Sequence, residues 1–212
     1  MKRPVEIQDK DSKRALLLIL GSQEDREVEL LANELELLLK NLGIAPAGRI
    51  LQERRSPNPA YFLGRGKIEE AKVLAEATGA NLLVCDDPLT PSQMSNIGEL
   101  TGLEVWDRHL VIMKIFEARA LSAEAKLQVE LARCRYEIPR LKGLGLQMSR
   151  PGGGIGTRGP GETEFERHRR KLMRRVHNIR ATLENIRRQR EDRRKRRKRV
   201  GLPTVSLVGY TN

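Results

Sequence analysis

The chain has 212 residues, of which 39% are hydrophobic and 32% charged, and its formal net charge is +12. This length allows one or two domains with a hydrophobic core, and no apolar run is long enough to cross a membrane. The N-terminus does not resemble a secretory signal. The two cysteines, Cys85 and Cys134, argue against a disulfide framework and a cysteine zinc site. We therefore expect a cytoplasmic protein with no metal site in this chain.

The positive charge is concentrated near the C-terminal end. Residues 167–199 contain 17 Lys and Arg against 3 Asp and Glu, which leaves 23 basic and 25 acidic residues in 1–166. Such asymmetry favours a polyanionic partner, most simply a nucleic acid. The residues that form this basic helix are Arg187, Arg188, Arg190, Arg193, Arg194, Lys195, Arg196, Arg197, Lys198 and Arg199. A basic face that serves only solubility is the alternative.

The first half of the chain alternates between short apolar strands and helical patterns. We predict strands over 15–20, 44–54, 81–86 and 104–106, with helices over 24–41, from 67 to 79 and from 90 to 102. The first helix is expected to bury Leu30, Leu31, Leu35, Leu38 and Leu39. Thr90 and Gln93 match a capping box. This order predicts an α/β fold, a small parallel sheet flanked by helices.

After Asp107 the pattern is helical only. A helix over 110–121 is followed by one that Ser122 caps, with a heptad seam at Leu127, Leu131, Cys134, Ile138 and Leu141. A second seam, at Phe165, Leu172, Val176, Ile179, Leu183 and Ile186, follows a capping box that begins at Thr163. The two seams predict a long antiparallel helical hairpin, coiled-coil-like in its packing. We divide the chain into an α/β domain (1–109), a helical domain (110–199) with a glycine-rich tip loop (143–162), and a segment (200–212) that begins a further domain.

The tip loop is the first candidate binding site. Its central residues are Arg150, Pro151, Gly152, Gly153, Gly154, Ile155, Gly156, Thr157, Arg158 and Gly159. Glycines let a backbone approach phosphates or bases closely, so the loop suits RNA contact. The alternative is a flexible linker with no binding role. The spacing of Gly154, Gly156 and Gly159 also matches a dinucleotide fingerprint, but that motif requires a preceding strand.

Other candidate sites are weaker. Residues 64–67, Gly-Arg-Gly-Lys, open a helix that could bind an anion, although a tight turn is the better interpretation. Asp86, Asp87 and Asp107 follow strands, where α/β sheets bind ligands, but such residues more often cap turns and helices. Trp106 and Phe116 are expected in the core. A strand over 204–208 precedes Gly209, Tyr210, Thr211 and Asn212, which match the first half of a phosphate-binding loop.

Several motifs in combination resemble the HflX family of translational GTPases. They are Val-Trp-Asp-Arg at 105–108, Ile-Phe-Glu-Ala-Arg-Ala at 115–120, Ala-Lys-Leu-Gln-Val-Glu-Leu-Ala at 125–132 and the glycine loop over 153–164 with its Gly-Pro-Gly-Glu-Thr, supported by 64–67 and 89–93. The resemblance covers essentially the whole chain. Trp106 departs from it slightly, because an aliphatic or similar residue is commoner there.

The resemblance implies an N-terminal α/β domain, a helical hairpin and then a Ras-like GTPase domain that uses GTP and Mg²⁺. It also implies binding to the large (50S) ribosomal subunit, with the hairpin loop directed toward rRNA near the peptidyl-transferase centre, and a role in splitting or rescue of stalled ribosomes, or in translation or biogenesis. On this basis residues 150–159 would contact rRNA and Gly209–Asn212 would begin the GTP site. Localisation would be cytoplasmic, at the ribosome or a membrane surface.

We expect a monomer that does not hydrolyse GTP as this chain alone, because the lysine and Ser/Thr of a phosphate-binding loop do not follow Gly209 within it. The alternative, from a different class of protein, is a non-enzymatic RNA-binding or ribosome-assembly module.

Overall fold

The computed structural model describes residues 13–22, 24–148, 160–201 and 205–206 of the chain. In chain order the elements are β1 (Arg14–Leu20), α1 (Arg26–Asn41), β2 (Ala45–Gln52), α2 (Arg65–Thr78), β3 (Leu82–Cys85), α3 (Pro91–Thr101), β4 (Glu104–Asp107), α4 (Arg108–Arg119), α5 (Ala123–Met148) and α6 (Pro160–Arg199). The predicted α/β fold with a following helical hairpin is confirmed.

The four strands form one parallel sheet in the order β2-β1-β3-β4. Strand β1 lies inside this sheet, and Ala15–Ile19 are buried. A parallel strand covered on both faces carries a continuous apolar run rather than an alternating one. This is why residues 15–20 consist entirely of alanine, leucine and isoleucine.

Side chains that alternate along β1 fill two separate cores. Leu16 and Leu18 pack in a core that includes Ile68 and Ala71 of α2 and Ile97 of α3. Residues Ala15, Leu17 and Ile19 pack on the other face, in a core that includes Leu35 and Leu39 of α1, Trp106 of β4 and Val111 of α4. The α/β domain therefore has three layers, with helices on both faces of the sheet.

The buried face of α1 agrees with the predicted one only in part. Ala32, Leu35 and Leu39 are buried, whereas Leu30 is 61% exposed and Leu31 is 38% exposed. Residues 32, 35 and 39 are spaced three and four apart and share one side of a helix. Leu35 and Leu39 are buried as predicted and Leu38 is half-buried against the core, whereas the prediction was wrong for Leu30 and Leu31. Phe116, also predicted to be core, is exposed at 59%, whereas Trp106 is buried as expected.

The helix starts in the α/β domain follow the predicted capping chemistry. Thr90 accepts a hydrogen bond from the backbone N–H of Gln93, and the Gln93 side chain accepts one from the backbone N–H of Thr90. This reciprocal pair is the predicted capping box of α3, with Pro91 as the first helical residue. Ser122 likewise accepts a hydrogen bond from the Ala125 backbone N–H at the start of α5.

The two helices of the hairpin are longer than predicted and extend into the predicted loop of 143–162. Helix α5 continues to Met148, and α6 already begins at Pro160. Thr163 consequently lies inside α6 and is not its N-cap. At a rise of about 1.5 Å per residue, α5 and α6 are about 39 Å and 60 Å long. No helix among the described residues is both long enough and apolar enough to cross a membrane.

Candidate nucleic-acid interface

The helical hairpin is attached to the α/β domain through a buried carboxylate. Asp107 is the last residue of β4 and is fully buried. Its Oδ1 accepts from the backbone N–H of Leu110, 2.9 Å away, which makes Asp107 the N-cap of α4. Its Oδ2 accepts from the backbone N–H of Leu89 at 3.3 Å. The expectation that strand-end aspartates cap helices and turns is thus met at Asp107.

Two side chains of α5 complete the environment of this carboxylate. The Tyr136 hydroxyl donates to Oδ1 and the Arg140 guanidinium donates to Oδ2, each over 2.9 Å. The Arg140 guanidinium also lies 3.3 Å from the centre of the Tyr136 ring and donates to the Leu89 carbonyl. Burial, together with the nearby Asp107 charge, raises the pKa of Tyr136, so its hydroxyl keeps its proton and remains a donor. We call Asp107, Tyr136 and Arg140 the joint.

A second set of ion pairs lies around the joint. Arg108 bridges Asp86, after β3, and Glu34 of α1, at 2.7 and 2.6 Å. Arg133 of α5 pairs with Glu117 of α4 at 3.3 Å. Because Asp107 is buried and charged, its satisfied hydrogen bonds are energetically important, whereas the partly exposed pairs contribute less. The joint therefore fixes where α5 leaves the α/β domain.

The predicted heptad seams meet between α5 and α6. Cys134 and Ile179 are buried at the centre of this interface, and the other described seam residues are half-buried, whereas the described residues between the seam positions of α6 are exposed. Phe165 lies outside the described side chains. This alternation is the expected signature of two helices packed along a 3-4 seam. The sequence prediction of an antiparallel hairpin is confirmed.

Ion pairs across the hairpin show which residues of the two helices lie opposite each other. Arg175 of α6 forms a two-pronged contact with Glu130 of α5, at 2.6 and 2.7 Å, and this contact lowers the pKa of Glu130. Farther along, Arg190 pairs with Glu124 in the first turn of α5. Since residue 190 lies opposite the start of α5, residues 191–199 of α6 extend about 13 Å past it.

The protruding end of α6 carries an unbroken cationic run over 193–199, all exposed. Just upstream, three arginines have acidic partners: Arg187 pairs with Glu191, Arg188 with Glu184 and Arg190 with Glu124. Within the described residues, no ion pair or side-chain hydrogen bond involves 193–199. We call residues 193–199 the basic end. It is the densest unneutralised charge in the described part of the chain.

The remaining predicted site residues fall in two places. The tip-loop residues 150–159, the predicted strand over 204–208 (apart from 205 and 206) and the phosphate-loop start 209–212 lie outside the described residues. Gly64 is the N-cap of α2, and Arg65 and Lys67 pair with Glu69 and Glu70 on that helix. This arrangement fits the turn-and-helix-start interpretation. Helix α5, rather than a strand, precedes the glycine loop, which removes the structural basis of the dinucleotide motif.

Sequence reasoning did not find Tyr136 and Arg140. Both lie on α5 beside the seam residues, and their role depends on a carboxylate some thirty residues earlier in the chain. The available signal was the pair itself: an aromatic residue and an arginine four positions apart lie on one side of a helix. The sequence could therefore have indicated that this side of α5 makes a second contact, but it could not have indicated that Asp107 is the residue contacted.

Comparisons with known proteins place the chain in a family. Residues 29–117 match the model of the GTP-binding GTPase N-terminal region, and residues 119–197 match that of the GTP-binding GTPase middle region. GTPase HflX of Caldanaerobacter subterraneus subsp. tengcongensis is 44% identical over 204 residues, with 96% of this chain and 47% of the relative covered. GTPase HflX of Escherichia coli is 41% identical over 199 residues, with 94% and 47% covered.

Solved structures show the same fold. The SsGBP and GDP complex matches with a TM-score of 0.61 at 24% identity, over 85% of this chain and 46% of that one. A GTP-binding protein from Sulfolobus solfataricus in complex with GDP matches with a TM-score of 0.50 at 27% identity, over 80% and 46%. The chain spans about half the length of the curated relatives it matches. It belongs to the HflX family of GTPases, whose N-terminal and middle regions it matches.

Proposed function

We propose that this chain is the ribosome-binding part of an HflX-type GTPase and that it associates with rRNA of the large ribosomal subunit. The observation that supports this proposal is the division of the hairpin into separate chemical parts. Helices α5 and α6 pack into a two-helix arm, the sequence between them (149–159) contains glycines with Arg150 and Arg158, and the basic end lies at the C-terminal end of α6. The cations supply salt-dependent attraction to phosphates, and the loop supplies close backbone approach.

Membership of the HflX family is the reason for proposing that the whole protein binds GTP. Relatives named GTPase HflX and solved relatives in complex with GDP support GTP binding by the whole protein. Gly209–Asn212 would form the first part of the phosphate loop, and Mg²⁺ would be held with the nucleotide beyond it. With GTP bound, the whole protein would act in splitting or rescue of stalled ribosomes, or in translation or biogenesis. GTP hydrolysis by residues 1–212 alone is not expected.

The test is cosedimentation of the 212-residue chain with isolated large ribosomal subunits. Replacing residues 151–159 by a glycine-serine segment of equal length, together with Arg150→Gln, preserves the spacing between α5 and α6. We expect this variant to remain folded, as judged by circular dichroism, and to bind subunits at least tenfold more weakly, a change of about 1.4 kcal/mol.

The matched control is Lys40→Gln with Lys72→Gln. This double variant also removes two positive charges, because the loop variant loses Arg150 and Arg158, but it does so on exposed positions of the α/β domain. Equal binding by the loop variant and the unmodified chain would contradict the role of the tip loop. Failure of the unmodified chain to sediment with subunits would contradict the proposed function as a whole.

A further inference from the structure

The contact face of α6 changes its chemistry where α5 begins. The heptad positions that face α5 are Leu172, Val176, Ile179, Leu183 and Ile186. The same spacing continues to Arg190, Arg193 and Arg197. Arg190 still has a partner, since it pairs with Glu124 in the first turn of α5. Beyond it no helix in the described part of the chain lies opposite α6, and the positions that would form an apolar stripe carry arginine instead.

The basic end is consequently cationic around its whole circumference. At 100° per residue, Arg193 and Arg197 lie on the side that continues the seam, whereas Lys195 and Arg199 lie on the opposite side. All four side chains are exposed, and none has an acidic partner among the described residues. An amphipathic helix that lies on a flat surface needs charge on one side only. The basic end instead carries positive charge on opposite sides of the helix.

Such a segment is under electrostatic stress when it is free in solution. Like charges three and four residues apart destabilise a helix, and the basic end contains such pairs on all sides of the helix. Asp192, at its start, is the last acidic residue before the end of α6. A partner that supplied anions to one side alone would leave the repulsion on the other side in place. Phosphates on both sides of the helix would relieve the repulsion between all of these basic side chains.

We propose that the basic end, residues 193–199, is an RNA-binding segment that lies between two phosphate strands and contacts phosphates with opposite sides of the helix at once. This rests on the proposed function, since the RNA is that of the large ribosomal subunit. Folded RNA presents phosphate strands that face each other across a deep groove or between packed helices, and arginine-rich segments order on such sites. The contacts read shape and charge rather than base sequence.

The salt dependence of binding tests this arrangement directly. Each phosphate contact contributes about 0.7–0.9 to the slope of log Kd against log salt concentration. One variant, Arg193→Gln with Arg197→Gln, removes two cations from the side that continues the seam. A second, Lys195→Gln with Arg199→Gln, removes two from the opposite side. Lys40→Gln with Lys72→Gln removes two from exposed positions of the α/β domain and serves as the control.

The 212-residue chain and these variants are titrated with isolated large subunits over a range of KCl concentrations at constant Mg²⁺. We expect each basic-end variant to lower the slope by about 1.5 and the control to leave it unchanged. A reduced slope for only one of the two basic-end variants would show one-sided contact and overturn the two-strand arrangement. An equal reduction for the control would assign the effect to net charge and overturn it too.

Two further outcomes separate this inference from the proposed function. Binding of the unmodified chain with no slope change in either basic-end variant would overturn the inference while leaving the proposed function standing. Absence of binding to subunits, with binding to phosphatidylserine vesicles instead, would overturn both and assign the basic end to an anionic membrane.

Discussion

Asp107 connects the two parts of the chain because one carboxylate accepts hydrogen bonds from four donors. Two donors are backbone N–H groups, at Leu89 before α3 and at Leu110 in α4, and two are side chains of α5, at Tyr136 and Arg140. A buried charge is tolerated only when it is paired and hydrogen-bonded in this way. The joint therefore depends on the end of β4, which supplies Asp107, as well as on the hairpin helix α5, which supplies Tyr136 and Arg140.

Replacing Asp107 by Asn tests the energetic role of the joint. The amide keeps one acceptor oxygen but loses the charge that pairs with Arg140, and its NH₂ group faces donors. We expect Asp107→Asn to lower the free energy of unfolding by about 2–4 kcal/mol, measured by urea denaturation. Tyr136→Phe removes a single hydrogen bond and should cost about 1 kcal/mol.

Asp87→Asn is the matched control for this substitution. Asp87 is an exposed residue just after β3, where partial desolvation and the neighbouring Asp86 charge raise its pKa, so the folded protein disfavours its ionised form. A carboxyl group whose pKa is raised in the folded state contributes stability to the protein that is lost as the pH rises through that pKa. Asp87→Asn should therefore be neutral or slightly stabilising at pH 7. A loss at Asp107 no larger than that at Asp87 would contradict the structural role of the joint.

At the scale of elements, periodicity predicted the strands and the seam more accurately than it predicted the helix ends. The tip loop was predicted to begin at residue 143, yet α5 runs through Gly143 and Gly145 to Met148, because a helical glycine costs only about 1 kcal/mol. Pro160 is the first residue of α6, a position that suits proline since its missing N–H is not needed there. That second signal was present in the sequence.

The seam itself can be tested at its most buried point. Ile179 on α6 is 1% exposed and Met173, on the same helix, is 50% exposed. Ile179→Ala should destabilise the hairpin by about 2–4 kcal/mol through lost burial and a cavity, whereas Met173→Ala should stay within about 0.5 kcal/mol of zero. Amide hydrogen exchange along α5 and α6 measures both. Similar effects from the two substitutions would contradict the packing of the seam.

At the scale of the molecule, the sequence predicted the parts but not how they are arranged. The alternation of strands and helices gave the sheet, and the heptads gave the hairpin, because each pattern reports which face of an element is buried. Neither pattern reports which residues of different elements meet. The contact of α5 with the end of β4 depends on Asp107, Tyr136 and Arg140, which are polar and interrupt no periodicity.

The joint predicts a single orientation of the hairpin relative to the α/β domain. Spin labels can be attached through Lys72→Cys on α2 and Arg180→Cys on α6, both exposed positions, since the native Cys85 and Cys134 are buried. We expect one narrow distribution of distances by double electron–electron resonance. Arg140→Gln should broaden it, because it removes the ion pair to Asp107 and the guanidinium that lies against Tyr136. Arg175→Gln breaks only the exposed pair with Glu130 and should leave it narrow. A broad distribution in the unmodified chain, or an unchanged one in Arg140→Gln, would show that the joint does not set the direction of the arm.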